Sequence, residues 1–389
     1  MATTPSPTVG KLSRRRRDIL STSLLCLIVL FSIAHAVRAV RAHLRLTSGN
    51  RRAPRLARDS SVGGVVNSAG GAGAVGVGVD LASASATAPT PSTKYAVPHI
   101  AHFVFGMEPG FGHVPFGLMH YIALLGTKLY VAPESIQWHH RFLPNETENG
   151  WWACARPLVV PRLVDDVTTV HGKEHKDLHV AHKADVVRMR IMREEGGIYL
   201  DSDVIPLRSF DELRRIGGNK LIMGREVVPG QDGMANAVLV GAPNTSFINR
   251  WWAAYANFNP QASWAYHSVI LPREIAAKHP DEIIILGGNT FFRPTWAELT
   301  ELYELDDQYD FIDNFAVHLW TSAENKRYGI LRKLSTADVW SGNGSFYRVA
   351  RHVLNDALAA GILCDAAKAD MTDQHSSERV GRSVIPPPF

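Results

Sequence analysis

Gly196-Gly197-Ile198-Tyr199-Leu200-Asp201-Ser202-Asp203 is a short apolar strand closed by two carboxylates one residue apart. Side chains alternate across a strand, so Tyr199, Asp201 and Asp203 are expected on one face, with Ile198 and Leu200 on the other. Carboxylates so placed lie roughly 6.5–7 Å apart at Cα. A divalent cation carrying a diphosphate can bridge that gap. Asp-x-Asp arises by chance in a chain of 389 residues, and Asp201 and Asp203 have a plainer use as caps of a turn before Pro206. The residues upstream give the pair its weight.

His182 to Glu195 is predicted to be a helix, stopped by Gly196-Gly197. Ala184, Val187 and Ile191 make its apolar stripe, while Asp185 and Arg188, three apart, share a face. That helix leads through the glycine turn into the Asp-x-Asp strand. Further strands are expected at 99–105, 157–164, 221–226, 237–241, 282–286 and 315–319, with helices at 116–128 and 246–258. Alternating strands and helices, with chemistry at a strand's carboxyl end, predict an α/β nucleotide-binding sheet.

Ala181-His182-Lys183-Ala184-Asp185-Val186-Val187-Arg188 followed by Glu195-Gly196-Gly197-Ile198-Tyr199-Leu200-Asp201-Ser202-Asp203 resembles the DXD sugar-binding region of glycosyltransferase family 32. Pro98 to Phe105, Asn236-Ala237-Val238 and Ala316-Val317-His318-Leu319-Trp320 extend the likeness over about residues 97–355. The resemblance implies a GT-A-type fold with a mixed, mostly parallel sheet flanked by helices. It also implies retaining transfer of a hexose from a nucleotide-diphosphate sugar, GDP-mannose or a UDP-sugar, to a glycan or glycolipid. Asp201 and Asp203 then become the catalytic pair and, with His318, hold Mn²⁺ or Mg²⁺. Asp185 and Arg188 hold donor-sugar hydroxyls, assisted by Asn236. Phe105 stacks on the base and Tyr199 packs near the ribose. The chemistry fits, because hard oxygen ligands plus one imidazole suit these cations and a Lewis acid stabilises a departing diphosphate. No residue declares itself a nucleophile, which leaves same-face attack assisted by the leaving phosphate.

Other uses of these residues stay open. His318 serves equally as a satisfied core histidine, and Phe105 as simple core packing. His171-Gly172-Lys173-Glu174-His175 matches the H-x-x-E-H pattern of inverted zinc proteases, which would make the chain a zinc metallohydrolase. Gly172 and the segment's polarity argue against the buried helix that this pattern needs. A non-catalytic sugar-binding domain is a third reading.

Charge divides the chain. Residues 1–94 hold 13 Lys/Arg against 3 Asp/Glu, and the remainder 28 against 34. The folded part is therefore mildly acidic, which argues against a nucleic-acid surface. Residues 1–18 form a basic tail containing Arg14-Arg15-Arg16-Arg17, and 19–37 an apolar segment near the length of a membrane span. It reads as a signal anchor, giving a single-pass type II protein of the Golgi or ER membrane. The alternative is a signal peptide cleaved at Ala34-His35-Ala36. Residues 38–94 are expected to form a flexible stem, 95–367 the catalytic domain and 368–389 a disordered tail. Sequons at Asn145, Asn244 and Asn343 agree with a lumenal domain. Cys154 and Cys364 are either joined there or two separate thiols.

Overall fold

A computed structural model describes residues 94–111, 115–175, 178–305, 309–369 and 371. The expected basic tail, anchor and most of the stem lie outside the described residues, as does nearly all of the expected C-terminal tail. Among the described residues no helix is long and apolar enough to cross a membrane.

In chain order the strands are β1 (Ile100–Val104), β2 (Ser135–His140), β3 (Val160–Leu163), β4 (Thr169–Val170), β5 (Lys173–Glu174), β6 (Gly197–Leu200) and β7 (Val204–Pro206). They continue as β8 (Leu221–Gly224), β9 (Glu226–Val228), β10 (Gln231–Gly233), β11 (Val238–Gly241), β12 (Ile283–Leu286) and β13 (Ala316–His318). Seven form one sheet in the order β12-β8-β11-β6-β1-β2-β3. Within it β11 alone is antiparallel to its neighbours, β6 and β8; every other pairing is parallel. The expected mixed, mostly parallel sheet is thus present, and β2 joins it where no strand was expected.

Such a sheet must be covered on both faces, and alternation along its strands sorts the core accordingly. Ile198 and Leu200 of β6, Phe103 of β1 and Val238 and Val240 of β11 enter one apolar cluster. It is packed by α1 (Leu118–Gly126) and by a long helix near the C-terminus, α4 (Ser345–Ala359). Tyr199 and Leu239 face the opposite cluster, with Val186, Met189 and Met192 of α2 (Val180–Glu194) and Phe247 and Trp251 of α3 (Ser246–Ala254). Each such side chain, fully buried, contributes about 1.5–3 kcal/mol.

Two glycines make the junction between α2 and β6 possible. Gly196 has φ +65° and Gly197 φ +100°. A Cβ at Gly196 would lie 2.4 Å from the Pro243 nitrogen, and one at Gly197 would lie 2.7 Å from the Ile100 oxygen. Only glycine accepts both the backbone conformation and the contact.

Cys154 and Cys364 are bonded to each other, closing a separation of 210 residues. The folded part also runs further than 367: Lys368 and Ala369 are helical and Met371 is buried in the core.

Candidate functional site

The expected strand stops at Leu200, and Asp201 to Asp203 form a turn in which the Val204 amide donates to the Asp201 carbonyl at 3.0 Å. The carboxylates therefore converge by chain reversal, and the simple alternation expected along a strand does not extend to Asp203. The turn is anchored on both sides. The Asp201 amide donates to the Ala237 carbonyl at 2.8 Å, and β7 pairs with β13 so that Val204 lies opposite His318. This pairing brings together residues more than a hundred positions apart. Ligand atoms of Asp201, Asp203 and His318 all lie within 4.8 Å of one another.

His318 Nε2 lies 3.2 Å from Asp203 Oδ1, and the Thr321 amide donates to Asp203 Oδ2 at 2.9 Å. Burial would push the Asp203 carboxyl up, but the His318 charge and these hydrogen bonds hold it well below the usual carboxylate range. Burial likewise disfavours the His318 cation, and Asp203 more than offsets it, raising His318. The ring of Trp320, whose centroid is 4.0 Å away, walls His318, and His318 Nδ1 is buried with no hydrogen-bond partner. The Nε2 side of the imidazole is thus the one presented to the carboxylates.

Asp201 belongs to a second, more deeply buried group. Arg188 Nη1 lies 2.9 Å from Asp201 Oδ1 and donates to the carbonyl and side-chain oxygens of Asn236 at 2.9 and 3.0 Å. Arg188 Nη2 lies 3.4 Å from Asp185 Oδ1, which accepts from Asn236 Nδ2 at 2.7 Å. The Tyr199 ring lies beneath the guanidinium at 4.7 Å and its hydroxyl donates to Asp201 Oδ1 at 2.7 Å. Burial pushes Asp201 up; Arg188 opposes this, and the neighbouring charge of Asp203 adds to it. Burial alone would also raise Asp185, but Arg188, His182 and Asn236 pull it below its ordinary value.

Of the residues predicted from sequence, Asp185, Arg188, Tyr199, Asn236, Asp201, Asp203 and His318 come together. Tyr199 is fully buried and has no surface for a ribose; its work is to carry Arg188 and orient Asp201. Phe105 is 9% exposed and sits in an aromatic cluster with Phe111, Phe116, His120 and Trp138, at centroid distances of 5.0–5.9 Å. Core packing therefore accounts for most of its surface. The sequence reading missed His120, a histidine inside the apolar run of α1. Burial lowers it to about 4, against an upward pull from the Asp203 charge. Thr321, which binds Asp203 through its backbone, left no side-chain signal.

The H-x-x-E-H segment is not a helix. Lys173 and Glu174 form β5, paired with β4, and His171 has φ +48° in the turn before it. His171 Nε2 lies 2.7 Å from the Trp252 carbonyl oxygen and its ring stacks on Trp252. The zinc-hydrolase alternative loses its geometry. Among the described residues, Asp201, Asp203 and His318 are the group whose ligand atoms lie close enough together to hold a metal ion.

Residues 128–223, which contain Asp185, Arg188, Asp201 and Asp203, match the family model of the glycosyltransferase sugar-binding region containing the DXD motif. Over 270 residues the chain is 32% identical to Glucan organizing enzyme 1 of Cryptococcus neoformans var. grubii serotype A, covering 66% of this chain and 70% of that protein. The chain belongs to the DXD-motif glycosyltransferases. It is a glycosyltransferase, and the turn holding Asp201 and Asp203 is its DXD motif. Among solved structures, the galactosyltransferase LgtC, in complex with donor and acceptor sugar analogues, is 12% identical, with 65% of this chain and 95% of LgtC covered and a TM-score of 0.37. The glycosyltransferase GlyE of Streptococcus pneumoniae TIGR4 is 12% identical, with 69% and 64% covered and a TM-score of 0.38.

Proposed function

We propose that this glycosyltransferase is metal-dependent and retaining, of the GT-A type, and moves a hexose from a nucleotide-diphosphate sugar to a glycan or glycolipid in the secretory pathway. The observation that carries the proposal is the convergence of Asp201, Asp203 and His318 within 4.8 Å beside a buried Asp185–Arg188–Asn236 group. Two carboxylates this close repel each other in a low-dielectric setting, and a cation between them relieves that repulsion. Two hard oxygen donors and one imidazole suit Mn²⁺ or Mg²⁺. When bound, such an ion supplies Lewis-acid stabilisation of the departing diphosphate.

The chain's own residues do the positioning. Thr321 and His318 keep Asp203 ionised, and Tyr199 and Arg188 fix the orientation of Asp201. Asp185, Arg188 and Asn236 form the floor on which the donor sugar rests, and the Phe105 edge of the aromatic cluster bounds the base. The acceptor hydroxyl attacks the anomeric carbon as the carbon–oxygen bond to the diphosphate breaks. Its proton passes to the leaving phosphate oxygen on the same face, so the anomeric configuration is retained.

Three exposed sequon asparagines, Asn145, Asn244 and Asn343, and the Cys154–Cys364 disulfide support a lumenal catalytic domain. The charged tail and apolar segment at 1–37 support a single-pass Golgi or ER anchor. The relative's name joins it to glucan organisation, so glucan-type oligosaccharides are the first acceptors to try. Screening the purified chain with Mn²⁺ against UDP- and GDP-sugars tests the proposal. Turnover of one donor, lost on chelation, is expected; no hydrolysis or transfer with any donor contradicts it, and an inverted product contradicts the retaining step.

A further inference from the structure

One exposed aromatic beside the site is held unlike a surface residue. Trp296 is 40% exposed, yet its indole nitrogen donates to Glu226 Oε1 at 2.8 Å. Glu226 is a carboxylate only 3% exposed, and the same oxygen accepts from Gln231 Nε2 at 3.1 Å. The segment carrying Trp296 is braced on every side. Thr295 donates to Glu298 Oε2 through its amide and hydroxyl at 3.0 and 3.1 Å, and Arg293 pairs with the same carboxylate. Asn314 donates to the Arg293 carbonyl at 2.8 Å, and Trp320, which walls His318, donates to the Pro294 carbonyl at 2.8 Å. An exposed indole on a rigid support, with its polar end tied down, presents a fixed flat face to solvent.

The sheet order says where that face lies. β8 is antiparallel to β11, which is antiparallel to β6, so β8 and β6 run the same way. Glu226 begins β9 just beyond the carboxyl end of β8, as Asp201 lies just beyond that of β6 and Phe105 just beyond that of β1. In the order β8-β11-β6-β1, Glu226 and Phe105 stand on opposite sides of the Asp-x-Asp turn. The segment carrying Trp296 is tied to the metal-ligand group through Trp320, which bonds the Pro294 carbonyl and whose ring lies 4.0 Å from that of His318. The β9–β10 hairpin then leads through Met234 to Asn236.

We propose that Trp296, positioned by Glu226, is the stacking platform for the acceptor sugar. This rests on the donor assignment above: with the nucleotide bounded on the Phe105 side, the β8 side of the turn is the side left for the acceptor. A pyranose has an apolar C–H face that suits the exposed indole, while Glu226, buried beneath, holds the ring in place. The occupant is therefore a carbohydrate.

The test is calorimetric titration of the full chain with laminaritriose, maltotriose and mannotriose, with UDP or GDP and Mn²⁺ present, in wild type, Trp296→Ala and Trp296→Phe. At least one trisaccharide should bind wild type about tenfold or more tightly than Trp296→Ala, with Trp296→Phe between them. Steady-state rates with that trisaccharide should show the change in the acceptor KM, with the donor KM moving less than twofold. Equal behaviour of wild type and Trp296→Ala toward every trisaccharide, including no binding by either, overturns the platform. Binding of phosphatidylcholine vesicles that depends on Trp296, with no trisaccharide effect, overturns it as well. Failure of wild type to turn over any nucleotide sugar would strike the donor assignment instead, and is read in a separate assay.

Discussion

The two halves of the site differ in how much of their side-chain surface is open. Asp201 and Asp203 are 25% and 15% exposed in their side chains, whereas Arg188 and Asp185 are 6% and 7% exposed and largely paired with each other. The open half has ligand atoms to offer. The closed half has spent its hydrogen bonds on itself and on holding Asp201. Damage to the closed half should therefore appear first as lost stability, and damage to the open half as lost chemistry in an intact fold.

Arg188→Ala is the most severe way to break that contrast. It strips Asp185 and Asp201 of their buried counter-charge, so thermal or denaturant unfolding should show a loss of about 3–5 kcal/mol. A variant as stable as wild type would mean that Arg188 does not brace the buried carboxylates. Asp203→Asn probes the other half. Transfer should fall roughly 100-fold or more, with a smaller loss of stability than in Arg188→Ala, because the amide keeps the shape and gives up only the charge paired with His318. Near-normal turnover under saturating Mn²⁺ would remove Asp203 from the metal site. Tyr199→Phe sharpens the border between the halves by deleting one hydrogen bond to Asp201 while leaving the ring under Arg188. Stability should drop by about 1.5–3 kcal/mol in chemical denaturation, since the lost bond runs to a carboxylate. A larger loss would make the hydroxyl, rather than Arg188, the main support of Asp201.

Legibility in the sequence follows the same division. The helix with Asp185 and Arg188, the paired glycines and the Asp-x-Asp segment are contiguous, so local patterning predicted their juxtaposition. His318 was found through the resemblance, as a late His-Leu-Trp piece, and it arrives by pairing of β13 with β7. The end of β6 at Leu200 was not legible, because a turn followed by another strand looks like one extended run. β2 was hidden by its polar members Gln137, His139 and His140, all of which are buried in the sheet. Tyr199 looked like a ligand contact because same-face alternation puts it beside Asp201. Its burial depends on α2 and α3 covering that face, which no local pattern states. The Trp296–Glu226 bond joins residues 70 positions apart and has no sequence signature at all.

The most direct measurement is calorimetric Mn²⁺ binding to the purified chain in the presence of a nucleoside diphosphate, comparing wild type with Asp203→Asn. The arrangement of Asp201, Asp203 and His318 predicts saturable binding of one ion by wild type and its loss in the variant. Equal binding by the two proteins would contradict the assignment of this group as the metal site.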